Sequence, residues 1–411
     1  MAEGPISLQE ARDVVLAAAR PLAAVEVGLD EALGMHLAED VVAAGALQPF
    51  DNSAMDGYAV RARDLASAGA EAPAALALIG ESRAGHPAEG TVGPGEAIAI
   101  STGAVLPAGA DAVVRVEDTR RPEGAPPEGE RVELLVSPAP GANVRRAGED
   151  VAAGETVLRC GAGLGPAGLG LLAALGVETV RCHRRPTAAV LSSGDELVPP
   201  GEPLPPGCIR DSNSTMAAAL VARAGAELHS RGSAGDSLEA TVAALEPALE
   251  ADAVVVCGGV SVGAHDHVKE ALERLGVERG FWRVALRPGG PTLFGRRDDT
   301  LVFGLPGNPV SVFATFTLLA APALAALAGG SPRRRRTTAA LAAPYEKGTD
   351  RTEALRCGLK LGESGWLATP RPRQGSHVLT SLLGAECLAI LPGPARRFEA
   401  GERVEVELLP E

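Results

Sequence analysis

The chain is poor in aromatic residues: Phe, Trp and Tyr make up 3%, against 46% hydrophobic residues in all. Its cores must therefore be assembled from Ala, Val and Leu rather than from rings. The six cysteines form no CxxC pair, which excludes a zinc ribbon or a disulfide framework and points to inert thiols in a reducing compartment. Positive charge is also short: 38 Lys and Arg face 52 Asp and Glu, a formal charge of −14. No basic stripe dominates, so nucleic-acid binding is not expected. An anionic small molecule remains compatible, because local arginines and backbone amides hold anions in acidic proteins. The N-terminus lacks an apolar signal segment, and a cytoplasmic location is expected. There is no solenoid repeat.

One long stretch, 301–330, lacks charge. A membrane span is the rival reading. Its first third, Phe303-Gly304-Leu305-Pro306-Gly307-Asn308-Pro309, reads as a turn, and the remainder is Ala-rich with Pro322 inside. A helix buried in a soluble domain is expected, with no membrane association.

At 411 residues, with 50 Gly and 32 Pro, two to four turn-rich domains are expected. Ser7 followed by Glu10, with Leu8, Ala11, Val14, Val15 and Ala18 at helical spacing, predicts a capped helix over 7–20. Residues 51–139 read as β-rich, with a Pro/Gly/Glu loop at 120–130. From Pro186 the rhythm changes. Short apolar runs at 187–191, 253–256 and 301–304 alternate with helical candidates at 215–226, 237–249 and 268–275. That alternation predicts a parallel sheet covered on both faces. Residues after 337 read as a small β domain.

Ligands of open parallel sheets lie beyond the carboxyl ends of the strands. Three loops stand at such ends: Ser192-Ser193-Gly194-Asp195-Glu196, Gly258-Gly259-Val260-Ser261-Val262-Gly263-Ala264-His265-Asp266, and Leu305-Pro306-Gly307-Asn308-Pro309-Val310-Ser311. Their small residues and free amides suit a phosphate or oxyanion. The candidate binding residues are Ser193, Gly194, Asp195, Gly258, Gly259, Ser261, Gly263, Pro306, Gly307 and Asn308. Asp56, Glu149, Asp150, Glu196, Asp236 and Asp266 lie in small-residue loops, where each alone reads as a turn or cap. Together they offer hard oxygen ligands of the kind Mg²⁺ takes. Two decoys remain. Gly259-Val260-Ser261-Val262-Gly263 matches a GxSxG nucleophile elbow, although no HGGG-type oxyanion loop precedes it. Gly163-Leu164-Gly165-Pro166-Ala167-Gly168 matches GxGxxG, but the acid expected about 20 residues on is missing.

The motif Pro49-Phe50-Asp51-Asn52-Ser53-Ala54-Met55-Asp56-Gly57-Tyr58-Ala59-Val60 resembles the entry motif of the MoeA family of molybdopterin molybdenumtransferases, which includes the gephyrin E-domain. The likeness continues through Ser101-Thr102-Gly103-Ala104, GANVRRAGED (141–150), SSGDEL (192–197) and IRDSNS (209–214). It extends through CGGVSVGAHDHVKE (257–270), FWRVALRPGGP (281–291), FGLPGNPVSV (303–312) and QGSHVLTSL (374–382). The resemblance implies a multidomain α/β plus β protein. Residues 1–50 with 140–182 would form an elongated linking and dimerisation region, and 51–139 a β-rich domain. Residues 183–330 would form a doubly wound molybdopterin-binding domain, and 331–411 a C-terminal β-barrel.

It also implies molybdenum insertion: molybdate is transferred onto the dithiolene of adenylylated molybdopterin, with phosphoanhydride cleavage and AMP release. By the same likeness Glu196, Asp236 and Asp266 hold Mg²⁺ or serve hydrolysis. Asp56, Thr102, Arg145 and Asp150 form a catalytic wall lent by a homodimer partner. Arg287, Pro291, Ser311, Arg351 and Ser376 hold molybdate. A molybdopterin adenylyltransferase would act upstream and apo-molybdoenzymes downstream. The family usually has Lys-Pro-Gly-Lys-Pro where this chain has Arg287-Pro288-Gly289-Gly290-Pro291, so one charge is absent at Gly290. The competing readings are a non-catalytic pterin-binding scaffold and a serine hydrolase using Ser261.

Overall fold

The computed structural model describes residues 4–120, 130–261, 266–332 and 336–409. The chain divides into two compact units: Met1–Glu39, Cys160–Pro166 and Thr179–Glu411 in one, Asp40–Arg159 and Ala167–Glu178 in the other.

In the first unit, Ser7 caps helix α1 (Leu8–Ala18) through a complete capping box with Glu10, as its spacing predicts. The centre of this unit is a six-stranded sheet. Its strands are β1 (Thr187–Ser193), β2 (Glu227–Ala234), β3 (Ala253–Cys257), β4 (Glu278–Trp282), β5 (Leu293–Arg297) and β6 (Thr300–Leu305). They run in the order β2-β1-β3-β6-β5-β4. The first four are parallel, and β5 turns back antiparallel to both β6 and β4.

Alternate residues of each buried strand feed opposite cores. Ala188, Val190, Val255, Phe303 and Leu305 face one side, where they meet α1, helix α2 (Asn213–Arg223) and helix α5 (Pro309–Leu327). Ala189, Leu191, Val254, Val256 and Val302 face the other, against helix α3 (Leu238–Ala248) and helix α4 (Val268–Arg274). This is the doubly covered sheet expected from the apolar runs. The expected helices appear with ends shifted by up to three residues; α2 starts two residues earlier than expected and ends three residues earlier. Strand β2 was not legible: it lies at the sheet edge, mostly exposed, and its polar residues carry no apolar run.

α5 is the one helix among the described residues long and apolar enough to cross a membrane, yet 72% of it is buried within the protein. Val312, Ala314, Phe316, Leu318 and Leu319 pack into the sheet core. A π-turn over Phe316–Ala320 lies directly before Pro322, which has no N–H to continue the α-helical ladder.

A barrel follows the sheet domain. Its strands are β7 (Arg336–Leu341), β8 (Thr352–Gly362), β9 (Gly365–Pro370), β10 (Cys387–Leu391) and β11 (Arg403–Leu408). Pairing runs β8-β9-β7-β11-β10 and closes back onto β8. Leu341, Leu355, Cys357, Cys387, Ala389, Val404 and Val406 fill the interior. On the outer face Ala354, Leu388 and Ile390 join the core of the sheet domain. Two turns beside the barrel are tied by buried Lys347, whose ammonium donates to the carbonyls of Thr349, Gly393 and Pro394.

The second unit holds a six-stranded sheet of the segments 112–115, 57–60, 96–100, 74–82, 131–134 and 119–120, in that order. Tyr58, Val60, Leu65, Val114, Val132 and Leu134 form its core. Most of the loop expected at 120–130 lies outside the described residues.

Candidate functional site

The three strand-end loops meet on one cavity of about 510 Å³. Ser193, Gly194, Gly258, Gly259, Ser261, Pro306, Gly307 and Asn308 all line it, together with Glu196, Asp236, Asp266 and Pro291. Parallel pairing of β1, β3 and β6 is what brings these loops side by side. Small residues are required there by close approach. At Gly258 (φ +97°) an added Cβ would lie 2.9 Å from the Ser193 carbonyl oxygen. At Gly259 (φ +66°) it would lie 2.5 Å from Val268 and 3.0 Å from Ser193 Oγ. Any other residue would therefore be strained and would crowd this floor.

One candidate takes another place. Asp195 does not line the cavity. Its Oδ1 accepts from the Asp236 amide at 3.0 Å, so it ties the loop carrying Asp236 to the loop carrying Glu196. Gly263 lies outside the described residues. Ser261 Oγ has no histidine partner among the described residues, and the Ser261 carbonyl accepts from Lys269 Nζ at 2.6 Å.

The resting floor of the cavity depends on residues that the spacing of acids and glycines does not reveal. Lys269 also lies 4.1 Å over the ring of Trp282, whose indole N–H donates to the Val260 carbonyl at 3.0 Å. Lys and Trp thus pin the backbone of Val260 and Ser261. Asn213 Nδ2 donates to the Gly307 carbonyl at 2.7 Å. Asp211, buried beneath β1, accepts from Ser192 Oγ at 2.7 Å and from Ser214 Oγ and N at 2.5 and 2.9 Å. Burial opposes its ionisation, yet the hydrogen bonds from Ser214 and Ser192 hold its carboxyl below the usual range. Asn213, Asp211 and Lys269 stand in motifs quoted for the family resemblance, the one signal that marks them. Exposed Ile209 flanks the cavity and opens one of those motifs.

Glu196, Asp236 and Asp266 share the cavity, but no group of three or more His, Cys, Asp or Glu among the described residues is placed to hold a metal unaided. This arrangement fits Mg²⁺ only as a partial shell. Mg²⁺ commonly takes one or two carboxylates and completes its octahedron with phosphate oxygens and water.

The molybdate candidates lie on segments that touch. Leu286–Arg287 runs parallel to the start of β8. A Cβ on Gly290 would meet Arg351 Nη1 at 2.9 Å, and one on Gly289 would meet Thr315 of α5 at 2.3 Å. Buried Ser311 lies in the first turn of the same helix, and the Val310 amide donates to the Ser376 carbonyl at 3.1 Å. Pro291 reaches the strand-end cavity.

In the second unit three motifs converge. Asp56 accepts from the Thr102 amide at 2.7 Å and from Thr102 Oγ1 at 3.0 Å, bonds that hold its carboxyl below the usual range. Arg145 pairs across strands with Asn52, and Asp51 accepts from Arg146 Nη1 at 2.5 Å and from the Ala147 amide at 2.9 Å. Asp150 is exposed, its amide bonded to the Leu47 carbonyl.

A doubly wound sheet with a glycine-floored, acid-rimmed cavity at its strand ends, followed by a closed barrel, defines a multidomain α/β plus β protein with a strand-end site. Comparison with known proteins narrows it. Residues 6–176 match the MoeA N-terminal region (domain I and II), 189–326 a probable molybdopterin binding domain, and 338–409 the MoeA C-terminal region (domain IV). The chain is 36% identical to a molybdopterin molybdenumtransferase of Haemophilus influenzae, over 93% of each chain. It is 39% identical to molybdopterin molybdenumtransferase 2 of Mycobacterium tuberculosis, over 97% of this chain and 98% of that one. The crystal structure of the MoeA molybdopterin biosynthesis protein from Pyrococcus horikoshii superposes with a TM-score of 0.82 at 34% identity, covering 98% of this chain and 99% of that one. The chain belongs to the MoeA family of molybdopterin molybdenumtransferases, enzymes of molybdenum cofactor biosynthesis.

Proposed function

We propose that this chain is a molybdenum insertase that takes adenylylated molybdopterin and molybdate, cleaves the phosphoanhydride, and leaves molybdenum on the pterin dithiolene with AMP released. The observation that carries the reading is the strand-end cavity: eight small or amide-bearing loop residues and three carboxylates on one 510 Å³ space. Backbone amides and hydroxyls of the loops at Ser193, Gly258, Gly259 and Gly307 hold the phosphates. Glu196, Asp236 and Asp266 would hold Mg²⁺ against those phosphates, where it would offset their charge as AMP leaves. The soft sulfur ligands come from the pterin, so the protein's own cysteines, none of them in a disulfide, have no part to play. Arg287, Pro291, Ser311, Arg351 and Ser376 bind the molybdate oxyanion.

In this reading the chain acts as a cytoplasmic homodimer, organised in the four segments 1–50 with 140–182, 51–139, 183–330 and 331–411. Asp56, Thr102, Arg145 and Asp150 of one copy serve the cavity of the other. A molybdopterin adenylyltransferase supplies the substrate and apo-molybdoenzymes take the product. The decisive experiment is AMP release from adenylylated molybdopterin with and without molybdate. Molybdate-dependent release is expected. Binding of the pterin nucleotide without release would instead favour the scaffold reading. Mixing the inactive variants Asp56→Asn and Asp266→Asn tests the shared site. Recovery of about a quarter of the wild-type rate is expected, the statistical share of intact sites in a two-fold dimer.

A further inference from the structure

Glu353 is a buried carboxylate, 3% exposed, whose Oε2 has no hydrogen-bond partner. Such a group is costly to retain unless it serves a nearby cation. It stands at the start of β8, directly across from Arg287 in the parallel register. Its Oε1 accepts from the Tyr345 hydroxyl at 3.1 Å and lies 3.8 Å from Arg287 Nε. Burial and the adjoining negative charge push the Tyr345 hydroxyl up to about 12, so it stays a donor.

Other cations near Glu353 are already committed. Lys347 is held by three carbonyls. Arg356 donates to Ser381 Oγ and to the carbonyls of Arg373 and Gly375, each at 3.2 Å. Arg287 differs. Its side chain is 48% exposed, its Nε lies 3.8 Å from Glu353 Oε1, and no hydrogen bond engages its terminal nitrogens among the described residues. Arg351 is exposed and has no carboxylate partner among the described residues. Its guanidinium lies along the backbone of Gly290, where any Cβ would displace it. The turn from Arg287 to Pro291 thus presents two guanidiniums, one anchored from behind by an acid and one admitted by the lack of a side chain.

We infer that Glu353, fixed by Tyr345, is the positioning residue that aims Arg287 at the oxyanion, and that Gly290 is the gap that lets Arg351 complete a two-arginine corner. The inference rests on the reading of Arg287 and Arg351 as molybdate ligands. A planar guanidinium with an acid beside Nε offers its two terminal nitrogens to a tetrahedral oxyanion, a geometry that an ammonium at position 290 would not reproduce. Glu353 does not touch the anion. It acts through Arg287.

The test is equilibrium binding of molybdate alone to the full chain, with melting temperature as the folding control. Arg287→Ala is expected to weaken binding about tenfold or more, as removal of a charge-assisted pair does. Glu353→Gln should weaken it about fivefold, and the double variant should be no weaker than Arg287→Ala alone. Tyr345→Phe, a milder change, should cost about twofold by the same route. Gly290→Ala should weaken binding by displacing Arg351, and this loss should add to that of Glu353→Gln. Unchanged affinity in both Glu353→Gln and Tyr345→Phe overturns the inference, as does a Glu353→Gln loss that adds in full to that of Arg287→Ala. If Glu353→Gln does not fold, Tyr345→Phe carries the same cycle. Unchanged affinity in Arg287→Ala overturns the ligand reading itself, an outcome visible apart from the other two.

Discussion

In the proposed reading, the strand-end cavity and the arginine corner beside the barrel are two solutions to holding an anion. The cavity is made of what is absent: Gly258 and Gly259 leave backbone open, and its carboxylates stand at the rim. The corner is made of charge backed from inside: Glu353, Arg356 and Lys347 are nearly inaccessible, whereas Arg287 and Arg351 reach the surface. A surface of amides adapts to a phosphate chain of several groups. A braced guanidinium selects one compact tetrahedral ion by direction. Adding side chains should therefore destroy the cavity, whereas removing them should destroy the corner.

The largest expected effect is on the cavity. Gly259→Val places a branched side chain at φ +66°, with its Cβ 2.5 Å from Val268. Pterin-nucleotide affinity should fall on the order of a hundredfold, measured by titration, because strain and occlusion act together. Next is the corner's scaffold. Arg356→Ala leaves the carbonyls of Arg373 and Gly375 without their donor and should cost about 3 kcal/mol in denaturant unfolding. If Arg356→Ala spared stability but abolished molybdate binding, the division between brace and ligand would need redrawing.

A smaller effect is expected from Lys269→Ala, which frees the Ser261 carbonyl and removes one of the two cations over the Trp282 ring. KM for the pterin nucleotide should rise about tenfold with kcat little changed, since a loosened floor affects binding before chemistry. The smallest is pH-dependent. Asp211 is held below its unfolded value, so its contribution is complete above about pH 4 and is lost as pH falls through the lower folded value. Asp211→Asn should flatten the fall in melting temperature over that acid range. An unaltered acid slope would remove Asp211 from the network under β1.

The same contrast governs what could be read from sequence. Apolar runs announced β1, β3 and β6, and their alternation announced the helices between them, because burial on both faces leaves a compositional mark. Glycines at strand ends announced the cavity loops for a related reason: close backbone approach excludes other residues. β2 left no mark, since an exposed edge strand tolerates polar residues. Asp195 carried a mark with two meanings. As an acid in a Gly loop it reads as a ligand, yet it accepts from the Asp236 amide, 41 residues away in the chain. Glu353 was invisible altogether. It lies within strand β8; Tyr345 stands only eight residues earlier, but Arg287 is joined to it by a parallel register across some 65 residues of chain. Local pattern reports burial. It does not report which distant charge a buried acid will meet.

Lys347 brings a last consequence. Its ammonium gathers three main-chain oxygens from two turns beside the barrel, the coordination that a monovalent metal ion provides at many loop junctions. Here the cation is tethered by its own carbon stem. Chelators cannot strip it, dialysis cannot dilute it, and exchanging sodium for potassium should leave this junction untouched.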